Sequence, residues 1–453
     1  MKAIDPSTGE VIREYEALSW EQARDRIEAS HRAFTGWRER SFAERAQPMR
    51  RAAAVLRERR DEYAELMARE MGKPLGSGRS EVEKCAWVCE HYAEHAEDLL
   101  APRPVRTDAS RSYVAFRPLG VVFAVMPWNF PFWQVFRFAA PSLMAGNGAV
   151  LKHAENVPGC ALAIEDVFRR AGFPDDLFAS LLVGRDMAPK IIEHPRVVAV
   201  TLTGSTRAGR AVASKAGEAL KKTVLELGGS DPYVVLEDAD LDEAVATCVQ
   251  SRLLNGGQSC IAAKRFVVVR PVLEAFQSKM VERMRAVEMG SPFDEGTELG
   301  PQARTDLRDD LHRQVRESIE AGATRLLGGE VPDRPGAWYP PTVLANVGPD
   351  MPAYREELFG PVAAILAAED EDGAIRIAND SQYGLGAAVF ARDPERGERI
   401  ARERLDAGNC FVNSLVRSDP RLPFGGVKES GYGRELGAFG ILEFVNIKTV
   451  YIG

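Results

Sequence analysis

Cys260 closes the segment Asn255-Gly256-Gly257-Gln258-Ser259 and precedes a β-rich run at 266–269. Two adjacent glycines let backbone approach a ligand closely, and the polar neighbours Gln258 and Ser259 provide a setting in which a thiol acts as a nucleophile. A cysteine taken at random is more often a small buried hydrophobe. Other positions also carry groups suited to chemistry. Asn129 stands among aromatic residues and prolines in Pro127-Trp128-Asn129-Phe130-Pro131, where its amide can face a ligand or simply close the turn. Glu226 ends an apolar run before Leu227-Gly228-Gly229, a place for a general base as well as for an ordinary surface carboxylate. Thr203-Gly204-Ser205-Thr206-Arg207-Ala208-Gly209 opens a helix with hydroxyls and glycines that could seat a phosphate on helix amides. It is neither GxGxxG nor a Walker loop. A rival chemistry is zinc-dependent peptide hydrolysis, because His91-Tyr92-Ala93-Glu94-His95 has the HxxEH form, with two histidines on one helix face. Glu90, Glu94, Glu97 and Asp98 make the same stretch read as a solvated helix surface, and no third ligand is evident.

The elements that must carry these residues are legible from pattern. The first hundred residues read as helices with capping-box starts at Ser19 with Gln22, Ser41 with Glu44 and Ser80 with Glu83. Residues 121–126 form a continuous apolar run suited to a strand covered on both faces. From there strands and helices alternate, through 149–151, 178–183, 197–202 and 222–227, then 232–236 and 265–269. Such β-α-β alternation predicts an α/β fold with a parallel, doubly wound sheet and ligands beyond the carboxyl ends of its strands. At 453 residues two or three domains are expected.

Composition narrows the function classes. The chain has 58 Lys and Arg against 66 Asp and Glu, a net charge of −8, which disfavours nucleic acid or an anionic membrane as the main partner. Its start lacks the apolar core of a secretion signal, and the most apolar region, 121–151, is interrupted by Pro127, Asn129, Pro131, Gln134 and Arg137. A cytoplasmic location is the expectation. The six cysteines (Cys85, Cys89, Cys160, Cys248, Cys260 and Cys410) include no CxxC pair, which fits a reducing compartment.

Taken in order, the Pro127–Pro131 stretch, Lys152, Thr203-Gly204-Ser205, Glu226-Leu227-Gly228-Gly229, Gly257-Gln258-Ser259-Cys260, Glu357-Leu358-Phe359-Gly360-Pro361 and Pro423-Phe424-Gly425-Gly426 resemble the NAD(P)-dependent aldehyde dehydrogenase superfamily along nearly the whole chain. The resemblance implies a cofactor-binding domain (1–98 and 119–228), a catalytic domain (229–428) and a small β oligomerisation arm (99–118 and 445–453) in a homodimer or homotetramer. It implies Cys260 as nucleophile, the Asn129 amide with the Cys260 backbone amide as oxyanion donors, and Glu226 as the base that activates water. It also implies Lys152 and Glu155 near the adenosine ribose, Ser205 at the phosphate end and Glu357 at the nicotinamide ribose, with Trp128, Thr203, Gly204, Leu227, Gly228 and Phe359 also binding the cofactor, and no metal. A carboxylate at Glu155 repels a 2′-phosphate, so NAD is expected in preference to NADP, with NADP as the alternative. Within the superfamily, Lys152-His153-Ala154, Asn156-Val157-Pro158 and Ser418-Asp419-Pro420-Arg421-Leu422-Pro423-Phe424 are most similar to the short bacterial succinate-semialdehyde dehydrogenases. Arg137 then matches an arginine for the distal carboxylate of that substrate, whereas Leu254 stands where many relatives have a second one. Arg417, Ser418 or Arg421 is the expected substitute, with Phe132, Trp133, Ser259 and Phe424 completing the pocket. The alternative in the same class is a broader aliphatic or aromatic aldehyde bound by Trp128, Phe132 and Trp133. A catalytically silent scaffold of the same fold would bind nucleotide without turnover.

Overall fold

The computed structural model describes residues 1–453. An N-terminal hairpin, Lys2–Ile4 against Val11–Glu14, precedes the helices. Its second strand is exposed throughout, so no buried face imprinted an alternation on the sequence. Four helices follow. Trp20–Trp37 and Phe42–Glu58 open on the reciprocal capping boxes expected at Ser19 and Ser41, which satisfy amides that a helix start leaves free. The third expected start is not one. The helix containing Ser80 begins at Leu75 and runs to Leu99, and the Ser80 hydroxyl donates to the Gly76 carbonyl at 2.9 Å inside it. Glycine survives near the start of this helix at Gly78 because a Cβ there would meet Ala64 Cα at 3.0 Å. Close approach of Leu75–Leu99 to the helix Arg60–Met71 thus outweighs a propensity loss of about 1 kcal/mol.

The next layer is a six-stranded sheet in the order Gly431–Tyr432, Lys222–Glu226, Val197–Thr203, Val121–Met126, Gly148–His153, Phe178–Ser180. All neighbours are parallel except the first pair. A seven-stranded sheet follows, with Val362–Ala368, Arg265–Val269, Pro232–Val235 and Gly386–Phe390 at its centre. In Pro232–Val235, Tyr233 and Val235 join the large core shared with the first sheet, while Val234 joins a smaller core on the opposite face. That is the period-2 signature of a strand covered on both sides. A three-stranded antiparallel sheet joins Val445–Ile452 to Arg111–Pro118 in unbroken register from Val445 opposite Pro118 to Ile452 opposite Arg111, with Arg103–Pro104 at its edge. It leaves Ile447, Tyr451 and Ile452 exposed. No helix is long and apolar enough to cross a membrane.

Parallel register aligns the carboxyl ends of the first sheet. Met126 lies opposite His153, and Thr203 opposite Glu226. The residues that follow these strands therefore emerge along one edge, where doubly wound sheets bind ligands.

Candidate active site

The cysteine loop links the helix Leu241–Leu253 to the strand Arg265–Val269. Asn255, Gly256 and Gly257 take left-handed φ values of 56°, 64° and 75° in succession. At Gly257 a side chain is excluded twice, by its φ and because a Cβ would fall 2.2 Å from the Gly360 carbonyl oxygen. Buried side chains hold this backbone. Arg252 donates to the Gly257 carbonyl at 2.7 Å, and Lys264 Nζ donates to the carbonyls of Ser259 (2.9 Å), Cys260 (2.7 Å) and Ala262 (3.1 Å). Asn255 Nδ2 bridges to the Asn129 carbonyl at 2.7 Å and the Gln258 carbonyl at 3.1 Å, while Gln258 Oε1 accepts from the Ala303 amide at 2.8 Å.

Asn129 is buried, and its Nδ2 donates to the Gln258 carbonyl at 3.0 Å. An amide nitrogen carries two hydrogens, so one is left over. The Cys260 backbone N–H donates to no group of the protein. Two donors are therefore spare on the two segments that meet at Cys260. Burial pushes the Cys260 thiol up to about 12, against the pull of Arg137 and Lys264.

Cys260 forms part of the wall of a cavity of about 360 Å³. Trp133, Arg137, Ser259, Arg417, Ser418 and Phe424 share that wall, as the sequence suggests, and so does Leu254. Phe132 does not. It is fully buried against Tyr63, with ring centroids 5.0 Å apart, because it caps the start of the helix Trp133–Met144 on the core side; Phe130 and Gln134 occupy the cavity wall instead. Trp128 also lies outside it, edge-on to Phe359 at 5.7 Å. Arg421 pairs with Asp419 at 2.7 Å and is exposed rather than in the wall. Arg137 lies in the wall with its charge already compensated by an ion pair to Glu435. It donates to Thr203 Oγ1 at 3.3 Å and stacks over Phe424 at 4.7 Å. The helix Leu75–Leu99 contributes Lys84, whose Nζ donates to Ser418 Oγ at 2.8 Å and sits 4.4 Å over the Trp133 ring. Nothing local in the sequence marks Lys84, since it lies far along the chain from Cys260 on a helix otherwise read as surface.

Glu226 is buried, and neither carboxylate oxygen has a hydrogen-bond partner. Its space is kept by Gly425, where a Cβ would lie 2.7 Å from Glu226 Oε1. Burial pushes its pKa well up, opposed by the Arg137 guanidinium. It is not part of the cavity wall but neighbours Arg137 and Glu435.

A second, longer cleft of about 900 Å³ runs along the carboxyl edge of the first sheet and contains Lys152, Glu155 and Ser205. Ser205 caps the helix Thr206–Glu218, its Oγ accepting from the Ala208 amide at 3.3 Å. Glu155 Oε1 accepts from the Arg185 amide at 3.1 Å. Arg185, Arg207, Lys215 and Arg304 bring cationic side chains to the same cleft, none of which sequence reasoning singled out. Thr203, Gly204, Leu227, Gly228, Glu357 and Phe359 are not in this wall. Glu357 instead joins the cysteine loop: it accepts from the Gly229 amide at 3.0 Å and lies 3.6 Å from Lys264 Nζ. A Cβ on Gly228 would fall 2.5 Å from Glu357 Oε2, and one on Gly209 would strike the Leu227 side chain, so both glycines permit close packing there. The cleft suits a dinucleotide. Lys152 Nζ has no carboxylate partner, contacting only the His153 carbonyl at 3.4 Å, and the Asn156 side-chain amide is buried with neither polar atom paired.

The His91 and His95 rings lie with centroids 4.7 Å apart and planes tilted by 55°, but no group of three His, Cys, Asp or Glu side chains is arranged to hold a metal ion, so the HxxEH match builds no zinc site.

The aldehyde dehydrogenase family profile matches residues 1–450. The chain is 50% identical over 449 residues to a probable succinate-semialdehyde dehydrogenase [NADP(+)] of Synechocystis sp., covering 99% of each chain. It is 48% identical over 452 residues to the succinate semialdehyde dehydrogenase [NAD(P)+] Sad of Escherichia coli, covering 99% of this chain and 97% of that one. The crystal structure of succinic semialdehyde dehydrogenase from Streptococcus pyogenes in complex with NADP+ superposes with a TM-score of 0.97 at 38% identity, covering 100% of this chain and 99% of that one. With a loop-borne cysteine, spare amide donors beside it and a dinucleotide-sized cleft at the carboxyl edge of the first sheet, the chain belongs to the aldehyde dehydrogenase family.

Proposed function

We propose that this protein oxidises succinate semialdehyde to succinate with a nicotinamide dinucleotide, through Cys260. The observation that carries the substrate class is a cavity whose wall holds both the nucleophile and three cationic side chains, Lys84, Arg137 and Arg417. An anionic aldehyde gains from such a wall, and the relatives named for succinate semialdehyde supply its identity.

In this reading Cys260 Sγ loses its proton to solvent on substrate binding and forms a bond to the aldehyde carbon, and the carbonyl π electrons move to oxygen. The spare hydrogen of Asn129 Nδ2 and the Cys260 N–H hold that oxyanion, an arrangement worth about 3 kcal/mol per donor in acyl transfer. A bound dinucleotide would supply the acceptor for the hydrogen that leaves the former aldehyde carbon as hydride; Lys152 and Ser205 would hold it at one end, and Glu357 and Phe359 on the side toward the cysteine. Glu226 then takes a proton from water as the water oxygen attacks the acyl carbon; the sulfur–carbon bond breaks, and the acid leaves. Its unpartnered carboxylate in a dry site is a stronger base, once ionised, than a solvated one.

Glu155 favours NAD through repulsion of a 2′-phosphate, whereas Arg185, Arg207 and Arg304 in the same cleft offset that repulsion, so we assign use of both cofactors with NAD preferred. The domain division at 1–98 with 119–228, 229–428, and 99–118 with 445–453 accompanies this reading. Exposed Ile447, Tyr451 and Ile452 on the three-stranded sheet support a homo-oligomer built through that arm. Leu254 in the cavity wall, with Phe130 and Trp133, favours the second reading, a broad-specificity aldehyde dehydrogenase. Initial rates of reduced cofactor formation with succinate semialdehyde and with butanal decide between them. A kcat/KM at least about tenfold higher for succinate semialdehyde supports the first; equal values move the protein to the second.

A further inference from the structure

Once the ion pairs are counted, the positive charge in the Cys260 cavity is unevenly available. Arg137 is matched by Glu435. Glu81, the carboxylate in the wall, is matched by the buried Lys73, and its Oε1 accepts from the amides of Phe132 and Trp133 at 2.9 Å each. Asp419 is matched by Arg421. Lys84 makes no ion pair at all: its ammonium holds only the Ser418 hydroxyl, over the face of Trp133. Arg417 also lacks a carboxylate but is exposed, so its charge is screened by water. Lys84 is thus the one uncompensated cation held at a defined place inside the cavity.

We propose that Lys84, with the Ser418 hydroxyl, is the specificity determinant that receives the distal carboxylate of the substrate. This rests on the proposed assignment of an anionic aldehyde as substrate. An ammonium carries three hydrogens, and one is engaged with Ser418, which leaves donors for a carboxylate oxygen. Ser418 is buried, and it can turn its own hydrogen toward the same carboxylate while still accepting from Lys84. Trp133 fixes the ammonium by cation–π contact, so little ordering is left to occur on binding. The arrangement also accounts for Leu254: with a cation entering the cavity from the helix Leu75–Leu99, an arginine at that position is not required.

The same surroundings make the anchor sensitive to pH. Burial pushes the Lys84 pKa down to about 8, and Arg137 adds to this, while Cys85, Asp419 and Glu81 oppose it. The carboxylate of the substrate stays ionised throughout this range, so only the anchor changes.

The test is the ratio of kcat/KM for succinate semialdehyde to that for butanal, which cancels effects common to both aldehydes. The expected result for Lys84→Met is a ratio lowered at least about tenfold, carried by KM for succinate semialdehyde, with Lys84→Arg keeping most of it. In the wild type the ratio should fall about tenfold between pH 7 and 9, as a group titrating near 8 loses its proton, and in Lys84→Arg it should stay flat. A Lys84→Met ratio within twofold of wild type overturns the proposal. Should that variant be inactive with both aldehydes, a pH-independent wild-type ratio does the same. A wild-type ratio near one refutes the succinate semialdehyde assignment instead. The pair glutarate semialdehyde and pentanal then decides Lys84 separately, with a loss of discrimination in Lys84→Met supporting the anchor and no change refuting it.

Discussion

Arg137→Met isolates what the buried ion pair does. Arg137 and Glu435 are each nearly inaccessible, at 1% and 4% exposure, and Glu435 has no other cation within ion-pair distance. Methionine keeps much of the side-chain volume, so the main consequence is a carboxylate stranded in a dry site beside Glu226. Breaking a buried pair from one side costs about 3–5 kcal/mol. The ceiling is set by protonation of Glu435: each unit by which burial raises its pKa costs about 1.4 kcal/mol at pH values above it. Burial already raises the Glu435 pKa, and Arg137 restrains it, so in the variant the folded-state pKa rises further above that of the unfolded chain. A folded state that binds more protons loses stability as pH rises. Relative to wild type the deficit is accordingly absent below the wild-type folded pKa, which already lies above that of the unfolded chain, grows as pH climbs to the variant's higher value, and is constant above it. Urea unfolding followed by tryptophan fluorescence at pH 5.5 and pH 8 should show the larger loss at pH 8. Adding Glu435→Gln should recover more than half of it, since the stranded charge is then gone. A loss below about 1 kcal/mol at pH 8, or no recovery in the double variant, would refute the reasoning. Because Arg137 also draws down the pKa of Cys260 and Glu226, kcat should fall for charged and uncharged aldehydes alike, unlike the selective effect expected of a carboxylate anchor.

Three further outcomes follow from the site. Cys260→Ala should lower oxidation by about a thousandfold or more while dinucleotide binding, read by quenching of protein fluorescence, persists; unchanged turnover would remove the thiol from the mechanism. With the thiol near 12 in the free enzyme, alkylation of Cys260 by iodoacetamide should accelerate about tenfold per pH unit from 7 to 9, whereas a rate flat with pH would mean the thiolate is already formed. Glu155→Ser should raise kcat/KM with NADP relative to NAD, because it removes the carboxylate that accepts from the Arg185 amide while leaving the cationic rim; a wild type that already prefers NADP contradicts the role given to Glu155.

Much of this protein is legible in its sequence because the determinants are local. Capping boxes at Ser19 and Ser41 need only four residues, continuous apolar runs announce strands buried on both faces, and the glycines before Cys260 announce a turn where backbone approaches closely. Ser80 shows the limit of that logic: the same four-residue pattern sits inside a helix whose start is set by Pro74 and by packing of Gly78 on Ala64. Phe132 shows another, since adjacency to Asn129 says nothing about which way a ring turns once a helix begins.

The sequence by itself determined the α/β alternation, the glycine-rich loop that carries Cys260, and the order of residues along the sheet edge, since each depends on neighbours within a few positions. Only the tertiary structure decided the charges of the site. It set Glu435 against Arg137, left Glu226 unpartnered behind Gly425, and carried Lys84 to Ser418 across 334 residues of chain. Electrostatic effects depend on distance and desolvation, and both are created only when remote segments pack together.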